Sequence, residues 1–388
     1  MSTPRLRSRE WIERLIAFPT VSRDSNLALI ACVRDYLASH GVEALLVPDE
    51  SGKKANLYAT LGPKDRPGIM LSGHTDVVPI DGQDWQSDPF TLVERDGRLY
   101  GRGTSDMKSF IAIVLAFVPA FLKRKLTTPI HLAFSYDEEV GCIGVRRLIA
   151  QFDAMPVRPA LCIVGEPTLM QVVRGHKGKL GCRCSVRGLE SHSALTHRGV
   201  NAVEIAAEII ACLRRMRRRI EEKGPFEDGY DPPHTTVHTG VVRGGTQLNI
   251  VPRDCVFDFE FRCLPSEDPR VLLEEIKSFA ERELLPGMRA VSGQTGIRWE
   301  TLSDSPGLDT DEEAAVTRLV KQLTGGNSTG KVSFGTEGGL FSAAQIPTVV
   351  CGPGSIEQAH KPDEWVTLEQ IARCEALMER LGEHAARG

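Results

Sequence analysis

The segment IMLSGHTD, residues 69–76, decides the fold, because its short apolar run is followed directly by polar side chains. Two further short apolar runs, Ile130–Phe134 and Leu161–Val164, are likewise bounded by polar or turn residues. Such runs are typical of strands that are buried on both faces of a sheet. Helical patterns separate them, and the most apolar one, Phe110–Leu122, indicates a buried helix. The sequence therefore predicts an α/β fold, with a mixed sheet and helices on both faces.

A different pattern begins near Gly175. Residues 179–186, KLGCRCSV, alternate as a half-buried strand does. The residues that follow predict, in order, a helix, two strands and another helix, at 201–223, 237–242, 255–263 and 268–284. This order indicates a small α+β domain with one open sheet face, and α/β character returns after about residue 291. We therefore expect an α/β domain of residues 1–176 and 290–388, interrupted by an α+β insert of residues 177–289.

The composition argues against several functional classes. With 25% charged residues and a formal net charge of −4, the chain has no basic field that would hold nucleic acid. Its longest apolar run is too short to span a bilayer. The first residues, MSTPRLRSREW, lack the apolar stretch of a secretory signal, and the ten cysteines are scattered without a C-x-x-C pair. We expect a cytoplasmic protein with buried free thiols that binds neither nucleic acid nor a membrane.

Acidic residues and histidines follow the apolar runs or stand at a loop–helix junction. They are His74, Asp76, Asp106, Asp137, Glu138, Glu139, Glu166 and His360. Ligands of α/β sheets bind at the carboxyl ends of the strands. Imidazoles and carboxylates that converge there suit zinc or a similar divalent ion in a hydrolytic site. Charge balance favours two ions, because three of the carboxylates and one hydroxide neutralise two divalent cations.

Five segments resemble the M20 metallopeptidase family. They are HTDVVP at 74–79, GRGTSDMK at 101–108, DEEVG at 137–141, GEPT at 165–168 and AHKPDE at 359–364. The resemblance covers essentially the whole chain. It implies a catalytic domain that holds two divalent metal ions and an inserted dimerisation domain, or lid, that forms a homodimer. Zinc is the expected ion, although the same ligands accept cobalt or manganese.

The resemblance implies a set of metal ligands. Asp106 would bridge the two ions. His74 and Glu166 would complete one site, and Glu139 and His360 would complete the other. The peptide bond from Asp106 to the next residue is expected to be cis, as it is in relatives.

The resemblance also implies three catalytic roles. Glu138 would be the general base, which takes a proton from a metal-bridging water and gives it to the leaving amine. Asp76 would orient the ring of His74. His192, in GLESHSA, would donate a hydrogen bond to the oxyanion in the partner subunit's site.

The segments GHKGKLG at 175–181 and SFGTEGGLF at 333–341 resemble the acetylornithine deacetylase branch of the family more than the desuccinylase branch. That branch implies hydrolysis of N2-acetyl-L-ornithine to L-ornithine and acetate, in arginine biosynthesis. The alternatives are another N-acyl-amino-acid amidohydrolase, such as succinyl-diaminopimelate desuccinylase, and a catalytically silent binding module.

The same branch implies substrate-binding residues. Arg262 would hold the α-carboxylate and Asn249 would lie beside the substrate. The loop of Gly335, Thr336 and Glu337 is also expected to contact it. Our own hypothesis is that the Glu337 carboxylate pairs with the δ-ammonium of ornithine.

Overall fold

The computed structural model describes residues 6–387, which fold into two compact units. The first unit contains the chain up to Gly175, Leu308–Lys331 and the chain from Thr336 onward. The second unit contains His176–Gly307 and Val332–Gly335. Residues 1–5 and 388 of the predicted α/β domain lie outside the described residues.

The elements are numbered in chain order. The helices are α1 Arg9–Ile16, α2 Leu27–Ser39, α3 Lys108–Lys123, α4 Ile143–Phe152, α5 Ala202–Lys223, α6 Pro269–Phe279, α7 Leu285–Val291, α8 Ala315–Thr324, α9 Gly338–Ala343 and α10 Leu368–Arg387. The strands are β1 Ala44–Pro48, β2 Ala55–Leu61, β3 Ile69–His74, β4 Val93–Arg95, β5 Arg98–Tyr100, β6 Ile130–Ser135, β7 Leu161–Pro167, β8 Val172–His176, β9 Gly178–Arg187, β10 Thr236–Gly244, β11 Asp254–Cys263, β12 Gly296–Ser305, β13 Leu308–Asp309, β14 Thr329–Val332, β15 Thr348–Gly352 and β16 Trp365–Thr367.

The first unit is built on a nine-stranded mixed sheet, which confirms the predicted α/β class. The strand order is β1-β2-β6-β3-β7-β15-β8-β13, with β14 beside β8. Strands β6, β3, β7 and β15 are parallel to one another, whereas β2 pairs antiparallel with both β6 and β1. All residues of β3 and β6 are buried, as short apolar runs predict. Residues 110–118 of α3 are also all buried, which explains why this helix is apolar around its whole circumference.

The second unit is an antiparallel sheet, in the order β10-β11-β9-β12, covered by helices on one face. Alternate residues of β11 are buried, among them Phe257 and Phe261. Their neighbours point to the open face, where Arg183 donates two hydrogen bonds to Asp258, at 2.8 and 2.9 Å. The alternation of apolar and polar residues in the sequence therefore correctly indicates a half-buried sheet.

The predicted end of the insert at residue 289 is wrong. Strand β12 pairs antiparallel with β9 along its whole length, so residues 290–307 belong to the second unit. The predicted helix 268–284 is also longer in the structure, because a π-turn at Ala280–Leu284 connects α6 to α7. Among the described helices, none is both long enough and apolar enough to cross a membrane.

A three-stranded sheet, β16-β5-β4, lies in the first unit. The antiparallel pairing of β5 with β16 aligns Tyr100 with Trp365 and Thr367 with Arg98. The chain leaves β5 toward Asp106 and enters β16 from His360. This small sheet therefore brings together two segments that are far apart in the sequence.

Candidate metal centre

The predicted ligands of the first unit converge at one edge of its main sheet. His74 ends β3, Glu166 is near the end of β7, and Glu139 follows β6. Because these strands are parallel neighbours, their carboxyl ends meet at the same edge. Asp106 reaches this edge from the loop before α3, and His360 reaches it from the loop after β15.

Close packing against the sheet places Glu166. A Cβ atom on the preceding residue, Gly165, would lie 2.0 Å from the ring of Phe110 in α3. Only glycine allows the helix to approach β7 this closely. The glycine of the GEPT segment thus has a packing function.

The carboxylate of Asp106 lies between two histidines. Its Oδ1 is 3.0 Å from His74 Nε2, and its Oδ2 is 3.3 Å from His360 Nε2. On the outer sides, His74 Nε2 is 3.5 Å from Glu166 Oε1, and His360 Nε2 is 3.0 Å from Glu139 Oε2. The structure therefore brings together all five predicted ligands in two halves that share Asp106.

Ligand atoms also group in a second way. One set whose atoms lie within 4.8 Å of one another contains His74, Asp106 and Glu139, and another contains His74, Glu138 and Glu166. Glu138, predicted as the base, thus has a carboxylate oxygen within 4.8 Å of ligand atoms of His74 and Glu166.

The electrostatics of the cluster are those of a cation site. Burial and the neighbouring carboxylates raise the pKa of Glu138 to about 8 and that of Glu139 to about 6. Hydrogen bonds with Asp106 and Glu139 raise the pKa of His360 to about 10. Burial lowers the pKa of His74, but nearby carboxylates, that of Glu166 first, bring it well above its ordinary value. Imidazole nitrogens and carboxylate oxygens in a negatively charged cluster, buried except on the side of His360, are a donor set that fits divalent ions.

Asp76 contacts the ring of His74 and has further partners that the sequence did not predict. The ring of His74 is 2.9 Å from the main-chain oxygen of Asp76, through Nδ1, and 3.6 Å from its carboxylate. The carboxylate also accepts hydrogen bonds from the main-chain N–H groups of Glu138 and Glu139, at 3.1 and 3.3 Å, and from the Ser22 hydroxyl at 2.7 Å. Asp76 therefore fixes the turn that carries the predicted base and one predicted ligand.

Two contacts at the centre were missed by the sequence reasoning. The thiol of Cys142 donates to Glu138 Oε1 at 3.3 Å. The Glu364 carboxylate accepts from the main-chain N–H of Asp106 at 2.9 Å. Glu364 is the last residue of the AHKPDE segment, and its place in that segment was the one sequence feature that could have pointed to this contact. The peptide bond between Asp106 and Met107 is cis, as predicted.

The prediction of a substrate-facing Glu337 carboxylate needs correction. Glu337 is 1% exposed, and its carboxylate accepts from Ser135 Oγ at 2.5 Å and from Ser72 Oγ at 3.4 Å. The carboxylate therefore bonds to the strands that lead to His74 and Glu138. Burial raises its pKa to about 7.

The other two residues of that loop are placed separately. Thr336 is also buried, and its Oγ1 accepts from the N–H of Gly338 at the start of α9. Gly335 belongs to the second unit. The predicted substrate contacts of Gly335 and Thr336 stay predictions.

The remaining predicted residues lie in the second unit. His192 is exposed, and its Nδ1 accepts from the N–H of Ala194 at 3.1 Å. Asn249 lies beside it, since its carbonyl oxygen accepts from the N–H of Ser193 at 3.1 Å. Arg262, on the open face of the sheet, donates to Glu260 at 3.0 Å. The structure thus brings together His192 and Asn249.

Comparisons with known proteins agree with this geometry. Residues 70–384 match the model of "Peptidase family M20/M25/M40". The chain is 35% identical over 375 residues to an acetylornithine deacetylase of Pasteurella multocida, covering 95% of each chain. Its fold is similar to an M20 family metallo-carboxypeptidase from Sulfolobus solfataricus, with a TM-score of 0.77, 17% identity, and 98% and 99% of the chains covered.

The fold is also similar to the Bacillus subtilis YXEP protein, described as a dinuclear metal-binding peptidase from the M20 family. The TM-score is 0.68 at 17% identity, with 98% of each chain covered. The match to the family model spans most of the chain, and the match to the Pasteurella protein spans 95% of it. The chain therefore belongs to peptidase family M20/M25/M40 and is a metal-dependent hydrolase.

Proposed function

We propose that the protein hydrolyses N2-acetyl-L-ornithine to L-ornithine and acetate, as a cytoplasmic enzyme of arginine biosynthesis. Full-length relatives named acetylornithine deacetylase support this substrate, at 33 to 35% identity. The observation that best supports metal-dependent hydrolysis is the position of Asp106. Its two carboxylate oxygens face two different histidines, each of which has a further carboxylate beside it.

The proposal assigns two divalent ions, with zinc expected and cobalt or manganese as alternatives, to this cluster. Asp106 would be shared, His74 and Glu166 would complete one half, and Glu139 and His360 the other. Bound divalent ions lower the pKa of a water molecule and polarise a carbonyl group.

The proposed base is Glu138. Its carboxylate lies at the cluster, where Cys142 donates to one oxygen, and its main chain is fixed by Asp76. A carboxylate that is held at the main chain and half-buried can take a proton from water and later give it to the leaving amine.

We also propose that the second unit forms a homodimer through β10. This strand is at the edge of its sheet and carries exposed Val241 and Val242, at 39% and 54%. An unpaired edge with apolar side chains can pair with a second chain.

In this dimer His192 would serve the partner's site. Because Nδ1 of His192 accepts a main-chain hydrogen bond, the neutral ring carries its proton on Nε2 and can donate it to an oxyanion. Arg262 and Asn249 are proposed to hold the substrate from the same unit.

The proposed substrate is tested by measuring kcat/KM of metal-loaded protein for a panel of N-acetyl and N-succinyl amino acids. We expect kcat/KM to be highest for N2-acetyl-L-ornithine. A maximum for N-succinyl-diaminopimelate would indicate a desuccinylase instead. Metal binding without hydrolysis of any member would indicate a binding module. Glu138→Ala protein is the matched control for contaminating hydrolases.

Mixed dimers test the shared site. Neither His192→Ala nor Glu138→Ala chains should be active alone, whereas exchange between them should create dimers with one intact site. Activity of up to about a quarter of the wild-type value is expected from random exchange. Exchanged dimers that stay inactive would contradict the proposed role of His192 across the dimer.

A further inference from the structure

Arg102 and Glu364 form a buried ion pair in the first unit. Arg102 Nη1 donates to Glu364 Oε2 at 2.7 Å, and the two side chains are 1% and 0% exposed. The pair lies beside the small sheet, where the N–H of Gly101 donates to the carbonyl oxygen of Glu364 at 3.0 Å. It therefore stands between the chain that leads to Asp106 and the chain that comes from His360.

The Glu364 carboxylate holds the main chain around Asp106. Its Oε1 accepts from the N–H groups of Ser105 and Asp106, at 2.8 and 2.9 Å. Its Oε2 accepts from the N–H of Gly103 at 3.1 Å, in addition to Arg102. Hydrogen bonds to an ionised carboxylate are among the strongest in proteins. Three of the four residues from Gly103 to Asp106 are thus bound through their N–H groups to one side chain.

Arg102 extends the same network to the segment of His360. Arg102 Nη2 donates to Gln83 Oε1 at 2.6 Å, and Gln83 Nε2 donates to the carbonyl oxygen of His360 at 3.0 Å. Arg102 Nη1 also donates to the carbonyl oxygen of Lys361 at 3.3 Å. The buried pair therefore contacts the main chain of Asp106 directly and the main chain of His360 through Gln83.

We propose that the Arg102–Glu364 pair is a positioning device that holds Asp106 and His360 in place for metal binding. The inference rests on the proposed function, in which these two residues are ligands. Buried carboxylates such as Asp106 and Glu139 repel one another, so a ligand on a movable main chain would relax away from its neighbours. Main-chain hydrogen bonds to a buried, paired carboxylate prevent this movement, and the ligands are ordered before a cation binds.

The test is metal titration of the full chain after its metal has been removed. Glu364→Gln keeps the shape of the side chain but replaces one acceptor oxygen by an NH2 group, which cannot accept from the same donors. With Co²⁺ as the probe, we expect Glu364→Gln to bind one of its two ions about 10- to 100-fold more weakly than the wild type does. Loss of a group that supports a metal ligand typically has an effect of this size. The visible spectrum of the bound Co²⁺ should also change. Glu369→Gln, an exposed carboxylate in the first turn of α10, is the matched control and should bind as the wild type does.

A second variant keeps both members of the buried pair. Gln83→Ala, at a half-buried loop residue, removes the bridge to the His360 carbonyl oxygen and the acceptor of Arg102 Nη2. We expect about tenfold weaker binding of the same ion. The inference is overturned if Gln83→Ala, or folded Glu364→Gln, binds two Co²⁺ ions with wild-type affinities and spectrum. Wild-type protein that binds fewer than two ions would instead refute the two-ion part of the proposed function, and this inference with it.

Discussion

Replacement of Asp76 by asparagine is expected to disturb the turn that carries Glu138. The Asp76 carboxylate accepts from Glu138 N–H on one oxygen, and from Glu139 N–H and the Ser22 hydroxyl on the other. An asparagine has one acceptor oxygen, and its NH2 group must face the other side. The hydroxyl of Ser22 can turn and accept, but a main-chain N–H cannot, so one partly buried N–H loses its partner in either orientation.

A buried donor without a partner costs about 1 to 3 kcal/mol. Asp76→Asn should therefore lower the free energy of unfolding by about 2 kcal/mol, measured by urea unfolding with tryptophan fluorescence. The turn is expected to relieve this cost by moving, so kcat on N2-acetyl-L-ornithine should fall at least about tenfold, since loss of such a partner typically costs 10- to 100-fold. Asp84→Asn, at an exposed loop position, is the control. Wild-type stability and kcat in Asp76→Asn would refute the assignment of Asp76 to this turn.

Three further outcomes are expected. Glu138→Ala should retain both metal ions by elemental analysis and lose activity, whereas Asp106→Ala should lose at least one ion; a metal-free Glu138→Ala would contradict these roles. Burial lowers the pKa of His131 to about 4, so protonation of the unfolded chain should destabilise the fold by about 3 kcal/mol as the pH falls from 6.5 to 4. His131→Phe keeps an aromatic ring stacked on Tyr58 and should make the free energy of unfolding in urea depend less on pH between 6.5 and 4. An unchanged pH dependence would contradict the role of His131. Glu337→Ala should lose about 1 to 3 kcal/mol of stability because two buried serine hydroxyls lose their acceptor, whereas Glu337→Gln should lose less; equal losses would contradict this.

The parts of the fold that the sequence predicted are those with a strong apolar pattern, either a continuous run or a helical period. Strands β3 and β6 are buried on both faces, and α5 has one apolar face, so their apolar spacing reports their structure. Strand β12 was missed because it is at the edge of its sheet, where most of its residues are half-buried or exposed and need not be apolar. That omission alone misplaced the end of the insert.

Positions in the candidate centre were predictable where residue type carries the chemistry. Histidines and carboxylates after buried strands identified His74, Glu139 and Glu166, because strand ends converge at one edge. The partners of Asp76 and Glu364 were not predictable, since main-chain N–H groups have no signature in a sequence. The burial of Glu337 depends on Ser135 and Ser72, which are distant in the chain and unremarkable in type.

The pairing of β5 with β16 has a consequence for how the chain folds during translation. The hydrogen bonds that the N–H groups of Gly103 and Asp106 donate to the Glu364 carboxylate span 261 and 258 residues. Strand β15, which lies between β7 and β8, also comes from late in the chain. On the ribosome, the contiguous residues 176–307 emerge while the first unit still lacks these parts, and domains fold as units during synthesis. Residues 176–307, which form most of the second unit, can therefore fold first, and a nascent chain has no complete metal centre until its last strand has emerged.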